Sequence, residues 1–244
     1  MGNASSNMSI LTTVFNYFFG PEKIDYTEKV IDVEAFFIAV QSSIAAYKSS
    51  EEIESVLDDR TKNTKGVSYW PMLKYVVDFK MFADLDTDAH CSTFIYNRDG
   101  RRTMIVAFRG TEKTEGDFLA DAYFKLEKMS NQDSEDVMVD SGFQNQYNVL
   151  RTNLRHYLQT KKFDHLFITG HSLGGALATL CTADLAINKL DDQAVPCTFI
   201  TVASPRVGDA KFESIFRANE IKLTRLVLQH DPVPKVEITE NCVK

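Results

Sequence analysis

The sequence has little cysteine, no excess of positive charge and no long apolar run, and each shortage excludes a class of protein. Its 244 residues include four cysteines without a Cys-x-x-Cys pair, so free thiols are expected rather than a disulfide framework, with a Cys181–Cys197 bridge as the alternative. The formal net charge of −7 gives no support for nucleic-acid binding as the main role. No stretch approaches the roughly 20 apolar residues that a membrane-spanning helix needs.

A secretory signal is not predicted either, because no Lys or Arg precedes the apolar run Ile10–Phe19. Residues 1–30 are interpreted as an appendage to a domain formed by residues 31–244, and a cytoplasmic location is expected. Met1–Ser6 matches the pattern for N-myristoylation at Gly2, although an ordinary flexible start has the same composition. Ile10–Phe19 would supply the second anchor that one acyl chain needs for stable attachment to a membrane surface, or would dock on the domain itself.

Strand and helix patterns alternate along the rest of the chain. They predict an α/β fold with a mainly parallel central sheet and helices on both faces. An antiparallel hairpin of strands at 93–96 and 103–108, joined by the turn Asn97–Gly100, leads this sheet. Further strands are predicted at 166–168, 198–203 and 223–228, and helices at 36–47, 143–157 and 210–218.

The most informative segment is Gly170–Gly174, which reads Gly-His-Ser-Leu-Gly. It follows an apolar strand pattern and precedes a helical one, as a nucleophile elbow requires, so Ser172 is the candidate nucleophile. The helix that begins at Leu173 would direct backbone N–H groups towards an oxyanion beside the serine. A phosphate loop is not expected, because Ala176 and Leu177 stand where Lys and Ser or Thr are required.

A calcium loop is not expected either, although Asp84, Asp86 and Asp88 alternate as such a loop requires. Ala89 stands at the sixth position, where glycine is needed, and Ile95 at the twelfth, where glutamate is needed. The three aspartates are therefore interpreted as a polar connection. The sequence predicts no metal and no cofactor.

Asp231 is the candidate acid that would support the base of a serine hydrolase. In α/β-hydrolases the order along the chain is Ser, acid, His, and the acid follows a late strand. Asp231 follows the strand pattern that ends at Gln229. Taken alone, an Asp before Pro232 is most often a turn former.

With these residues assembled, the sequence resembles the class 3 (fungal-type) lipase family, whose fold is the α/β-hydrolase. The resemblance covers roughly residues 90–240. It implies that Ser172 is the nucleophile and Asp231 the triad acid, and that Thr111 and Leu173 form the oxyanion hole. Four segments match in the family's order: Val106–Thr111, Gly170–Ala176, Ala203–Asp209 and Asp231–Pro234. A fifth, Val139–Phe143, has Asp140 where a His is usual.

The resemblance also implies a lid after the Arg-Gly-Thr strand. A short amphipathic helix is predicted there, behind a possible hinge at Gly116, with a fixed surface helix as the alternative. Its apolar positions are Leu119, Ala122, Tyr123 and Leu126.

One departure from the family is the triad histidine, which should lie beyond Asp231. Residues 233–244 contain none, and His171 is expected to point away from Ser172. The final strand and helix of the fold are also missing from the pattern, so a C-terminally truncated product is expected. The alternative is a catalytically impaired, lipase-like lipid-binding or signalling module.

The interpretation favoured by the whole sequence is a serine lipase or esterase. It would hydrolyse carboxylic esters of acylglycerol-type lipids through an acyl-serine intermediate. The sequence does not choose between triacylglycerol, phospholipid, galactolipid and other acyl esters.

Overall fold

A computed structural model of the protein describes residues 33–59, 71–111, 125–130, 136–190, 195–227 and 231–235. The N-terminal appendage with Gly2, and the lid positions Leu119, Ala122 and Tyr123, lie outside these ranges. The helices are α1 (Val33–Ala45), α2 (Ser50–Asp59), α3 (Ser141–Thr160), α4 (Leu173–Ile187) and α5 (Ala210–Ala218). The strands are β1 (Val76–Asp84), β2 (Ala89–Arg98), β3 (Arg101–Phe108), β4 (Leu126–Lys128), β5 (Met138–Asp140), β6 (His165–His171), β7 (Cys197–Val202) and β8 (Leu223–Leu226). Short 3₁₀ turns cover Pro71–Tyr75 and Val233–Lys235.

Six of the described strands form a central sheet in the order β1-β2-β3-β6-β7-β8, and β4 and β5 form a separate two-stranded sheet. β1, β2 and β3 pair antiparallel, whereas the pairings β3–β6, β6–β7 and β7–β8 are parallel. The mainly parallel sheet with a leading hairpin is thus confirmed. Asp99 (φ 53°) and Gly100 (φ 81°) make its turn, because positive φ at both central positions matches the twist of the two strands. The carboxyl ends of the four parallel strands lie at the same end of the sheet, and ligands of open α/β sheets bind outside these carboxyl ends.

Helices cover both faces of the sheet, as predicted, because strand side chains alternate between two cores. Along β3, Met104, Val106 and Phe108 pack into the core beneath α3, α4 and α5. Ile105 and Ala107 point to the opposite core, which includes residues of α1 and α2. From Met104 to Phe108 both faces of β3 are fully buried, so this part of its sequence is a continuous apolar run rather than an alternating one.

Two parts of the fold differ from the sequence prediction. β1 was not predicted, because as an edge strand it mixes buried and exposed positions without a clean alternation. Leu126 does not belong to a lid helix: it lies in β4 and pairs with Asp140 of β5, so that assignment was wrong. Helical spacing from Leu119 to Leu126 was a local signal, and pairing with a strand further along the chain outweighs it.

Three further findings concern the cysteines, the lengths of the helices and the grouping of metal-binding side chains in the described ranges. Cys91, Cys181 and Cys197 are free thiols, so the alternative of a Cys181–Cys197 bridge was wrong. Within the described ranges, no helix is both long enough and apolar enough to cross a membrane. In the same ranges no three His, Cys, Asp or Glu side chains are grouped so that they could hold a metal ion.

A buried carboxylate ties α3 to α4. Asp184, which is 2% exposed, accepts hydrogen bonds from the Tyr147 hydroxyl at 2.7 Å, from two nitrogens of Arg151 at 2.9 and 2.8 Å, and from the Asn188 amide at 2.9 Å. Burial alone would raise the pKa of Asp184, but the bonds from Arg151, Tyr147 and Asn188 outweigh it and hold the pKa below its usual value. The helix that begins next to Ser172 is therefore fixed to its neighbour at its other end.

Candidate active site

Ser172 occupies a sharp turn between β6 and α4, as the elbow motif predicted. Its backbone has φ 54° and ψ −126°, a region that residues other than glycine seldom adopt and that persists only where the surroundings enforce it. Two hydrogen bonds do so here: the Ser172 N–H donates to the Val202 carbonyl at 2.9 Å, and the Ser172 carbonyl accepts from the Gly175 N–H at 2.9 Å. The turn is held from both β7 and α4.

The glycines of the elbow are required by close backbone packing. A side-chain carbon on Gly174 would lie 2.7 Å from the backbone carbon of Arg109, which is closer than real contacts allow. The first turn of α4 therefore packs directly on the end of β3. Ala176, two residues after Gly174, is fully buried.

The predicted oxyanion loop lies against the elbow. Gly110 and Thr111 follow β3, which pairs with β6 as far as Phe108 and Gly170. A side-chain carbon on Gly110 would lie 2.6 Å from the His171 carbonyl oxygen and 3.3 Å from the Ser172 Cβ. The backbone that leads to Thr111 is thus beside the serine, and α4 starts at Leu173, the residue that follows the serine.

Asp231 follows β8 along the chain. It is 7% exposed, and its Oδ1 accepts a hydrogen bond from the Val233 N–H at 2.9 Å. This bond orients the carboxylate and also forms the turn that a lone Asp-Pro pair predicts. Both interpretations of Asp231 given by the sequence are compatible with this geometry.

The histidine inside the elbow has a structural partner. His171 Nδ1 lies 2.9 Å from the Tyr47 hydroxyl, and burial lowers the pKa of His171 to about 4, so the imidazole is neutral at physiological pH. Its ring contacts Tyr47, two residues past the end of α1. That the ring points away from the Ser172 hydroxyl stays a prediction.

The other described histidines lie at three different places. His165 stands at the start of β6, the end opposite Ser172, with Nε2 3.0 Å from the Thr198 hydroxyl. His156 is exposed on α3, and His90 Nε2 lies 4.0 Å from Asp88 Oδ1. His230 lies outside the described ranges. The place of His165 at the opposite end of β6 therefore excludes it as the base for Ser172.

Two aspartates of the family-like segments have structural positions. Asp140, which replaces the usual His, caps the N-terminus of α3 by accepting from the Phe143 N–H at 3.0 Å, and burial raises its pKa. Asp209 caps α5 through the Phe212 N–H at 2.8 Å. An aspartate directly before a helix pattern is a capping signal, so both positions could have been recognised from the sequence.

Sequence reasoning missed two neighbours of the site. Tyr47 was predicted only as a helical position, yet its hydroxyl contacts His171 and lies against Gly110. Asp88 was predicted only as part of a polar connection, yet it binds the side chain of Arg109. Both contacts join distant segments, and no local pattern encodes them.

Comparison with known proteins places the chain in a family. Residues 105–240, more than half of the chain, match the family described as Lipase (class 3). Phospholipase A1-Igamma2 of Arabidopsis thaliana is 30% identical over 167 residues, which cover 57% of this chain and 31% of that protein. The lipase of Rhizomucor miehei is 28% identical over 179 residues, which cover 72% of this chain and 45% of that lipase. The chain thus spans less than half the length of either relative.

A solved structure agrees with the fold. The crystal structure of a lipase from Rhizopus microsporus var. chinensis superimposes with a TM-score of 0.64 and 25% identity, over 90% of this chain and 75% of that one. The residues that match the family, 105–240, include the end of β3, the elbow and Asp231. On the family match and this common fold, the chain belongs to the class 3 lipase family.

Proposed function

We propose that this protein is a serine hydrolase that cleaves carboxylic esters of acylglycerol-type lipids. The observation that carries the proposal is the strained backbone of Ser172, fixed between β6 and α4 with Gly110 packed beside it. Such an elbow holds a nucleophile within reach of two sets of backbone donors. Relatives named phospholipase A1 and lipase support glycerolipid esters as the substrate class.

In the proposed reaction, the Ser172 hydroxyl oxygen attacks the ester carbonyl carbon while a base takes its proton. The carbonyl oxygen becomes an oxyanion that accepts hydrogen bonds from the N–H groups of Thr111 and Leu173. The alcohol leaves with a proton, and the acyl group stays on Ser172. Water then attacks the acyl-serine, which releases the carboxylic acid and restores the hydroxyl. Asp231 would orient the base and stabilise its protonated form, as the acid does in other triads.

A fluorophosphonate probe tests this proposal, because it phosphonylates only a serine that is activated as a nucleophile. We expect the full-length protein to be labelled on the peptide that contains Ser172, as identified by mass spectrometry. Ser214, which is exposed on α5, offers a matched control, and Ser214→Ala should be labelled as the parent is. A folded, full-length protein that binds glycerolipid but takes no label would instead support the catalytically impaired lipid-binding module.

We also propose that the N-terminus attaches the protein to membranes that face the cytosol. The support is Gly2 in a myristoylation pattern, followed by Ile10–Phe19 as a second anchor. Gly2→Ala should move a tagged protein from the membrane pellet to the soluble fraction, whereas Asn3→Ala, which keeps the pattern, should not. An unchanged distribution of Gly2→Ala would exclude acylation as the anchor.

A further inference from the structure

We propose that Asp88 is a positioning residue for the oxyanion loop and that it acts through Arg109. The inference rests on the proposed function, because it assigns to the turn between β1 and β2 a part in hydrolysis by Ser172. Asp88 touches neither the serine nor the predicted oxyanion donors. Its effect is transmitted by the residue that precedes Gly110 and Thr111.

The sheet brings this turn to the site. β2 runs antiparallel to β3, and Cys91 pairs with Phe108, so the first residues of β2 and the turn before them lie beside the end of β3. The Arg109 N–H donates to the His90 carbonyl at 3.1 Å, which continues the pairing one residue past the strand. The turn is thus at the carboxyl end of β3, the same end of the sheet at which Ser172 follows β6.

The side chain of Arg109 holds the turn and the loop together. Its Nη2 donates to the Asp88 carbonyl at 3.1 Å and also forms an ion pair with the Asp88 carboxylate. The Arg109 side chain is 8% exposed, whereas that of Asp88 is 68% exposed. A guanidinium that is buried to this extent depends on its counter-charge for its position, and charge-assisted hydrogen bonds are directional.

The consequence for the loop follows from close packing. Gly110, the next residue, has no room for a side chain beside the His171 carbonyl and the Ser172 Cβ. A shift of Arg109 must therefore move either the loop or the elbow. An oxyanion donor acts over a narrow range of distances, of about 2.7–3.1 Å. Such a shift would therefore reduce the stabilisation of the transition state more than it would reduce the affinity for substrate.

The turn offers a clean variant and a matched control. Asp88 has φ 56°, a conformation that Asn tolerates as well as Asp, so Asp88→Asn removes the charge and leaves the backbone unstrained. Asp86 is exposed on the same turn, and Asp86→Asn removes the same charge. Asp84 is unsuitable as a control, because it accepts from the Thr87 N–H at 2.9 Å and the Thr87 hydroxyl at 2.8 Å.

The experiment compares both variants with the full-length parent in ester hydrolysis and in amide hydrogen exchange of the peptide that contains residues 109–111. For Asp88→Asn we expect a kcat about tenfold lower, which is less than the loss of a whole oxyanion donor, with little change in KM. Exchange at residues 109–111 should be faster. Asp86→Asn should match the parent in both measurements.

Four outcomes decide the matter. If Asp88→Asn keeps the parent's kcat, or if exchange at 109–111 is unchanged, the proposal is overturned. A lower free energy of unfolding with an unchanged kcat would also overturn it, since Asp88 would then be only structural. If the parent does not hydrolyse esters but exchange responds to Asp88→Asn alone, the proposed function fails and the anchoring of the loop by Asp88 stands.

Discussion

Replacing Ser172 with alanine is expected to lower kcat for a short-chain p-nitrophenyl ester by about 10⁶-fold, the order seen when a serine hydrolase loses its nucleophile. The variant would keep Thr111 and the N-terminus of α4, so binding and the oxyanion donors would remain. In other serine hydrolases these groups alone still accelerate hydrolysis about 10³–10⁴-fold over the reaction in water. The measurement is the initial rate of the full-length protein at saturating ester.

Two results would count against this expectation. Ser214→Ala, on the exposed face of α5, should keep the full rate, and a comparable loss there would point to damage of the fold. If Ser172→Ala instead kept more than about one hundredth of the parent's kcat, nucleophilic catalysis by Ser172 would be excluded, because no remaining group could supply that rate.

Replacing Asp231 with asparagine is expected to lower kcat by about 10⁴-fold, as the loss of a triad carboxylate does in another serine hydrolase. Asparagine keeps an oxygen that can accept the bond from the Val233 N–H, which Asp231 accepts at 2.9 Å. The turn should therefore survive, and only the negative charge that stabilises a protonated base would be lost. Ester hydrolysis and circular dichroism, measured on the same preparation, separate these effects.

Asp99 provides the matched control for this charge. It is exposed in the β2–β3 turn, with φ 53°, and Asp99→Asn should leave kcat unchanged. If Asp231→Asn also lost less than about tenfold while it stayed folded, Asp231 would be a turn former without a part in catalysis.

The parts of the site that the sequence predicted are those with a local signal. The elbow is encoded within a few residues, because the strand, the glycines around Ser172 and the apolar face of α4 follow one another directly. The hairpin turn at Asp99 and Gly100 is likewise a short-range pattern. Such signals depend on backbone conformation and on helical or strand periodicity, which neighbouring residues determine.

The parts that were missed depend on contacts between distant segments. β1 gains its strand conformation by pairing with β2 at the sheet's edge, and Leu126 by pairing with Asp140. The contacts of Asp88 with Arg109 and of Tyr47 with His171 arise only once the sheet has formed. The sequence shows that these side chains exist, but the order of the strands decides which of them meet.

The parallel pairing of β3 with β6 also bears on how the protein folds. The oxyanion loop and the elbow belong to strands between which β4, β5 and α3 intervene, and Tyr47 and His171 are 124 positions apart. Contacts of such high sequence separation require the chain to close large loops before any stabilising energy is gained, which slows folding. Partly folded chains can therefore contain the hairpin and the helices while the reactive centre is still unassembled, so recovery of activity after denaturation should report the last long-range pairing rather than the first compact state.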